Sequence, residues 1–152
     1  MTPSASCFSA VSHERLRDST RFLLELLESG RLSLEQGEPL RVAYHDSCQS
    51  KRELGLVAEP RRVLELAGYE VVDLPDIANC CGFGGTFSIK NPDVSAAMLA
   101  DKMESVIESR AEVLCAGDRS CLMHIGGGLE RIRAGVRTLH LAEILASTEA
   151  EA

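Results

Sequence analysis

The chain is short of basic side chains: 16 Lys and Arg stand against 23 Asp and Glu, for a formal net charge of −7. That deficit argues against nucleic acid as a main partner, because binding a phosphate backbone draws on a cationic excess that displaces counterions. Aromatic residues make up 4% of the chain and tryptophan is absent, so no series of rings offers itself for base stacking. Long apolar runs are missing too. The greasiest patch, Phe22-Leu23-Leu24-Glu25-Leu26-Leu27, is interrupted by Glu25 and falls far below the length that spans a bilayer. No basic region followed by an apolar core opens the sequence, so no signal peptide is expected. The expectation is a cytoplasmic protein.

What is present is a length of 152 residues, enough for one domain with a real core, and six cysteines at 7, 48, 80, 81, 115 and 121. In a small exported protein an even count would suggest disulfides. Without an export signal, and with periodic sequence able to build a core, metal binding is the stronger reading. The chemistry is densest in Asn79-Cys80-Cys81-Gly82-Phe83-Gly84-Gly85-Thr86-Phe87. Adjacent cysteines cannot both enter one apolar core, and they form a strained ring if oxidised to each other. They can present two thiolates to one metal centre. Gly82, Gly84 and Gly85 would let main-chain amides approach a bulky anionic group. A nucleotide loop is excluded: Phe87 stands where dinucleotide binding needs a third glycine, and no Gly-Lys-Ser/Thr follows.

Read in order, residues 1 to 12 are small and polar, and His13 to Ser29 carries Leu16, Phe22, Leu23, Leu26 and Leu27 at helical spacing, with Gly30 as a stop. A linker to Pro39 separates this lead-in (1–39) from the domain proper (40–152). Strands are predicted at Leu40–His45, Tyr69–Leu74, Ala111–Ala116 and Val136–His140. Helices are predicted at about Glu59–Ala67, Asn91–Arg110, Arg119–Arg133 and Leu141–Ser147. The second of these should turn Val94, Met98, Met103, Val106 and Ile107 inward, and Gly126 to Gly128 should weaken or break the third. Strands alternating with helices predict an α/β fold, a mainly parallel sheet of about four strands covered on both faces in a Rossmann-like three-layer arrangement. Sites in such folds collect at the carboxyl ends of the strands. Cys48, the Cys80-Cys81 pair and Cys121 each follow a predicted strand, so all four should meet on one rim.

Thirty-one residues separate Cys48 from Cys80, thirty-six separate Cys81 from Asp118, and two lie between Asp118 and Cys121. With these gaps, the phrases His45-Asp46-Ser47-Cys48, Cys80-Cys81-Gly82-Phe83-Gly84-Gly85 and Asp118-Arg119-Ser120-Cys121 resemble the cysteine-rich CCG domain family. That domain type belongs to heterodisulfide reductases and to the iron–sulfur subunits of glycolate oxidases. The resemblance is greatest to the lactate-utilisation members, extends to His140-Leu141-Ala142-Glu143, and covers residues 40 to 147. It implies an iron–sulfur cluster of [4Fe-4S] type, cubane or non-cubane, held by Cys48, Cys80, Cys81 and Cys121, in an electron-transfer subunit that serves oxidation of a lactate- or glycolate-type 2-hydroxy acid. Implied partners are flavin or iron–sulfur subunits and a second CCG domain, since family members carry two in tandem. Pro3-Ser4-Ala5-Ser6-Cys7 looks like the last ligand segment of a preceding domain.

Asp118 departs from the wider family, which has cysteine there; a carboxylate can ligate iron but is a harder ligand. Cys115, three residues earlier, is either a substitute ligand or a core thiol. His45 and His124 are either neighbours of the cluster or ordinary hydrogen-bonding histidines. Two alternatives stay open: a zinc-binding structural or docking module, and thiol–disulfide exchange at Cys80-Cys81. No serine–histidine or paired-carboxylate arrangement suggests a further enzyme mechanism.

Overall fold

The structure is a computed structural model, and it describes residues 18–34, 39–75 and 79–146. Helix α1 (Ser19–Glu28) starts where the Asp18 carboxylate accepts the main-chain N–H groups of Thr20 and Arg21, satisfying donors that a first turn leaves unpaired. Strand β1 (Arg41–Tyr44) runs into a five-residue π-helical turn, Gln49–Glu53. Helix α2 (Glu59–Leu66) has Pro60 in its first turn, where the missing N–H costs nothing. Strand β2 (Glu70–Val72), the short helix α3 (Thr86–Lys90) and the long helix α4 (Pro92–Glu108) follow. Strand β3 (Val113–Ala116), helix α5 (Arg119–Arg131), strand β4 (Arg137–His140) and helix α6 (Leu141–Ala146) come last. The expected start of the first helix at His13, the reading of Cys7 and the last residue of the closing helix lie outside the described residues.

All strand pairs are parallel, in the order β2-β1-β3-β4. Every strand therefore ends on the same rim. Side chains alternate across the sheet. Ala43 and Leu114 face a cluster with Val106 of α4 and Ile125 and Leu129 of α5. Val42, Tyr44, Val113 and Cys115 face a second cluster with Val63 and Leu64 of α2 and Leu141 and Ile144 of α6, against which Leu24 and Leu27 of α1 pack. The result is the expected three-layer α/β fold. The chain leaves β1 toward β2, then crosses back to place β3 on β1's other side, so the strand order reverses between β1 and β3. Crevices at such reversals are where open α/β sheets bind ligands.

Two local expectations are corrected. Helix α4 buries Ser95, Lys102, Ser105 and Val106, whereas Val94 and Ile107 are exposed. Small polar residues form part of its inner face because its first turns pack tightly on the loop after Cys81, where Ser95 Oγ donates to the Gly82 carbonyl at 2.8 Å. Helix α5 runs unbroken through its three glycines. Two of them serve close packing: a methyl group on Gly126 would meet Thr138 Oγ1 at 2.8 Å, and one on Gly128 would run into Met103 Sδ. Contacts with neighbouring elements thus hold the helix together where its own residues would weaken it.

Candidate metal centre

The site grows from the ends of β1 and β3. The β1–β3 ladder extends one residue past Tyr44, where His45 N–H donates to the Cys115 carbonyl at 2.8 Å. His45, Asp46 and Ser47 are all buried, an unusual fate for three polar residues in a row. Asp46 receives both terminal nitrogens of Arg61 at 2.9 and 3.1 Å, and the same guanidinium lies 5.5 Å from the Tyr44 ring centre. Ser47 Oγ accepts the main-chain N–H of Ser50 at 3.1 Å and stands 2.9 Å from Ser50 Oγ, closing the turn that carries Cys48. Cys48 itself is exposed.

Beyond β3, Asp118 begins α5. Its Oδ1 accepts the N–H groups of Ser120 at 2.8 Å and Cys121 at 3.2 Å, together with the Ser120 hydroxyl. Burial acts to raise its pKa, but these bonds outweigh it and hold the carboxyl below its ordinary value. Asp118 thereby fixes the first turn that points Cys121 inward.

The third contribution comes from the double-cysteine loop. Cys80 is exposed and Cys81 is buried; the chain passes between them from solvent to core. Gly82 makes this possible with φ of +86°, and a methyl group there would meet Ser95 O at 2.8 Å and Met98 Cβ at 2.9 Å. Its bareness is accounted for by the chain's own packing. Gly84 and Gly85 also have positive φ and are exposed.

These loops bring Cys81 Sγ to 3.4 Å from Cys121 Sγ. A ring nitrogen of His45 joins them, all three donor atoms lying within 4.8 Å of one another in a fully buried trio. The two thiols share a hydrogen bond; that bond, then one from His45 and one from the Phe83 main chain, outweigh burial and hold the Cys81 thiol below its ordinary value. The same bond to Cys81, burial, and the charges of Cys81, Asp118 and Cys48 push Cys121 far up. Cys115 is elsewhere: it lies in the core on the opposite face of the sheet, and burial pushes its thiol up to about 12.

The structure therefore brings Cys81 and Cys121 together, keeps Cys48 and Cys80 exposed, and gives Asp118 a capping role beside Cys121. Of the two histidines that the sequence marks as candidate neighbours of the site, His45 joins the thiol pair. His124, one turn after Cys121, stacks against Phe83 at 5.6 Å between ring centres. The donor chemistry fits a thiophilic metal. Two thiolates on one tetrahedral ion, at metal–sulfur bonds of ~2.3 Å, stand about 3.8 Å apart, so the 3.4 Å pair need part by only tenths of an ångström.

Comparison with known proteins points to the same region. The family model of the cysteine-rich domain CCG matches residues 42–126. The chain is similar to lactate utilization protein A of an Exiguobacterium species, 42% identical over 144 residues, which are 94% of this chain and 56% of that protein. It is 44% identical to lactate utilization protein A of Oceanobacillus iheyensis over 83% of this chain and 51% of that protein. For lactate utilization protein A of Macrococcus caseolyticus the figures are 36% identity, 95% and 66%. The chain spans about half the length of the first two of these relatives.

Proposed function

The chain belongs to the cysteine-rich CCG domain family, and on that premise we propose that it is the iron–sulfur electron-transfer part of an oxidoreductase complex that oxidises a 2-hydroxy acid of the lactate or glycolate type. The observation that carries this reading is the meeting of Cys81 and Cys121, sulfur to sulfur at 3.4 Å, across forty residues of sequence. Free thiols that converge without bonding are a donor set. When bound, an iron–sulfur cluster supplies one-electron uptake and release. Cys81 and Cys121 would hold it from the core side, and Cys48 and Cys80 from the solvent side. Asp118, as a further ligand, has one carboxylate oxygen already committed to the helix cap, which would orient the other. Gly82 sets the turn that separates the two thiols and turns its main-chain N–H toward Cys80 Sγ at 3.5 Å; the space beside Gly85 is open, whereas Gly84 lies against the Phe87 side chain.

The rest of the chain's role is support. Asp46, Arg61, Ser47 and Ser50 lock the β1 rim, and the sheet keeps water from the inner half of the site. Residues 40 onward form the unit that does this. Electrons would come from, and go to, flavin or iron–sulfur subunits and a second CCG domain, such as the remaining half of the longer relatives would provide. Five free cysteines among the described residues suit a reducing compartment such as the cytoplasm, and no described helix is long and apolar enough to cross a membrane.

Anaerobic reconstitution with iron and sulfide, followed by electron paramagnetic resonance of the reduced protein, tests the reading. A brown protein with a cluster signal that vanishes in Cys81→Ser is expected; a wild-type chain that stays colourless and silent would refute it. One observation favours a second reading, a zinc-binding structural or docking module: the 3.4 Å sulfur separation is close to what a single tetrahedral ion imposes. A stoichiometric, colourless zinc protein from anaerobic cells would select it.

A further inference from the structure

His45 is 1% exposed at the end of β1, and its main chain is pinned by the ladder bond to Cys115. Among the described residues its Nδ1 is buried without a hydrogen-bond partner, so no bond at that nitrogen holds the ring in place. The nitrogen that meets the thiols lies within 4.8 Å of both sulfurs. In a tetrahedral site with metal–nitrogen bonds of ~2.0 Å and metal–sulfur bonds of ~2.3 Å, nitrogen and sulfur stand about 3.5 Å apart. Drawing the nitrogen in by up to about 1.3 Å while the sulfurs part slightly would centre one metal between the three atoms.

We propose that His45 is a nitrogen ligand to the same metal atom that Cys81 and Cys121 hold, so that the inner half of the site is a mixed Cys₂His position. Three protein ligands on one tetrahedral metal describe a lone ion, so the proposal rests on the mononuclear reading; an iron of a [4Fe-4S] cluster, bound by three sulfides, has room for one protein ligand. The trio supplies three of four ligands.

Cobalt(II) added anaerobically to the full metal-free chain tests it, with X-ray absorption at the cobalt edge as the readout. Wild-type protein should show sulfur scattering together with the outer-shell pattern of an imidazole ring. His45→Gln should lose the ring pattern and weaken cobalt binding at least about tenfold, while His124→Gln retains both. Sulfur scattering without imidazole in the wild type would overturn the proposal whether or not any variant folds. An imidazole pattern that survives in His45→Gln, shown folded by circular dichroism, would overturn it too. A cluster that assembles normally in His45→Gln and shows no nitrogen hyperfine coupling in the wild type counts against His45 and leaves the iron–sulfur reading intact. Cobalt bound through His45 in a chain that never assembles a cluster supports His45 and removes that reading.

Discussion

Arg61 grips both carboxylate oxygens of Asp46, at 2.9 and 3.1 Å, joining helix α2 to the strand end from which His45 and Cys48 project. The Asp46 side chain is only 3% exposed and that of Arg61 16%, so this is an ion pair largely removed from solvent.

Removing one partner leaves the other charge buried and unpaired, which is more costly than losing an exposed pair. Arg61→Ala is expected to destabilise the fold by roughly 3 kcal/mol in urea unfolding of the metal-free chain. It should also weaken metal binding about tenfold, as a supporting residue does. A loss below about 1 kcal/mol, the range of surface pairs, would show that the contact does not hold the rim.

The glycines of the double-cysteine loop should separate by their surroundings. Gly82→Ala forces a β-carbon against Ser95 O and Met98 at positive φ, whereas the space beside Gly85, also at positive φ, is open. Thermal or urea unfolding should show about 1 kcal/mol lost for Gly85→Ala and roughly 2–4 kcal/mol for Gly82→Ala. Equal losses would contradict the packing.

Cys115 provides a pH test away from the metal. Burial raises its folded-state value to about 12, above the ~8.5 of an unfolded thiol. The contribution is fully present below the unfolded value and is lost as pH rises toward the folded one. Stability should therefore decline above about pH 8.5 by up to ~1.4 kcal/mol per pH unit, and Cys115→Ala should remove that part of the slope. In the folded chain, alkylation at neutral pH should reach Cys48 and Cys80 and leave Cys115 unmodified.

Among single cysteine variants of the full chain, Cys81→Ser and Cys121→Ser should each weaken metal binding by about 100-fold or more, beyond the 10–100-fold of supporting residues. Cys115→Ala should bind like the wild type. Isothermal titration with zinc, under reducing conditions, reads all three; strong binding by Cys81→Ser would refute the buried pair as the anchor.

Much of this fold is legible in the sequence because its signals are local. Apolar stretches such as Val42–Tyr44 and Val113–Ala116 are what strands buried on both faces require, and Pro60 and Pro92 mark helix starts through the geometry of proline itself. The rim placement of Cys48, Cys81 and Cys121 follows from that alternation alone. What stays hidden depends on tertiary contact. The π-helical turn after Cys48 is closed by the Ser47–Ser50 bonds, and nothing in its periodicity announces it. The inward face of α4 escapes a count of apolar residues because Ser95 and Lys102 are buried against the usual preference of their types. His45 can be placed at a strand end, but its approach to two sulfurs from distant loops is written only in the folded chain.

The opposite facing of Cys80 and Cys81 has a consequence for how the protein matures. Both apolar clusters close around the sheet without help from the thiol-bearing loops' outer half, so the chain can reach its final shape first and be loaded afterwards. One peptide bond apart, Cys80 lies open to oxidants and alkylating reagents while Cys81 is shielded by the core.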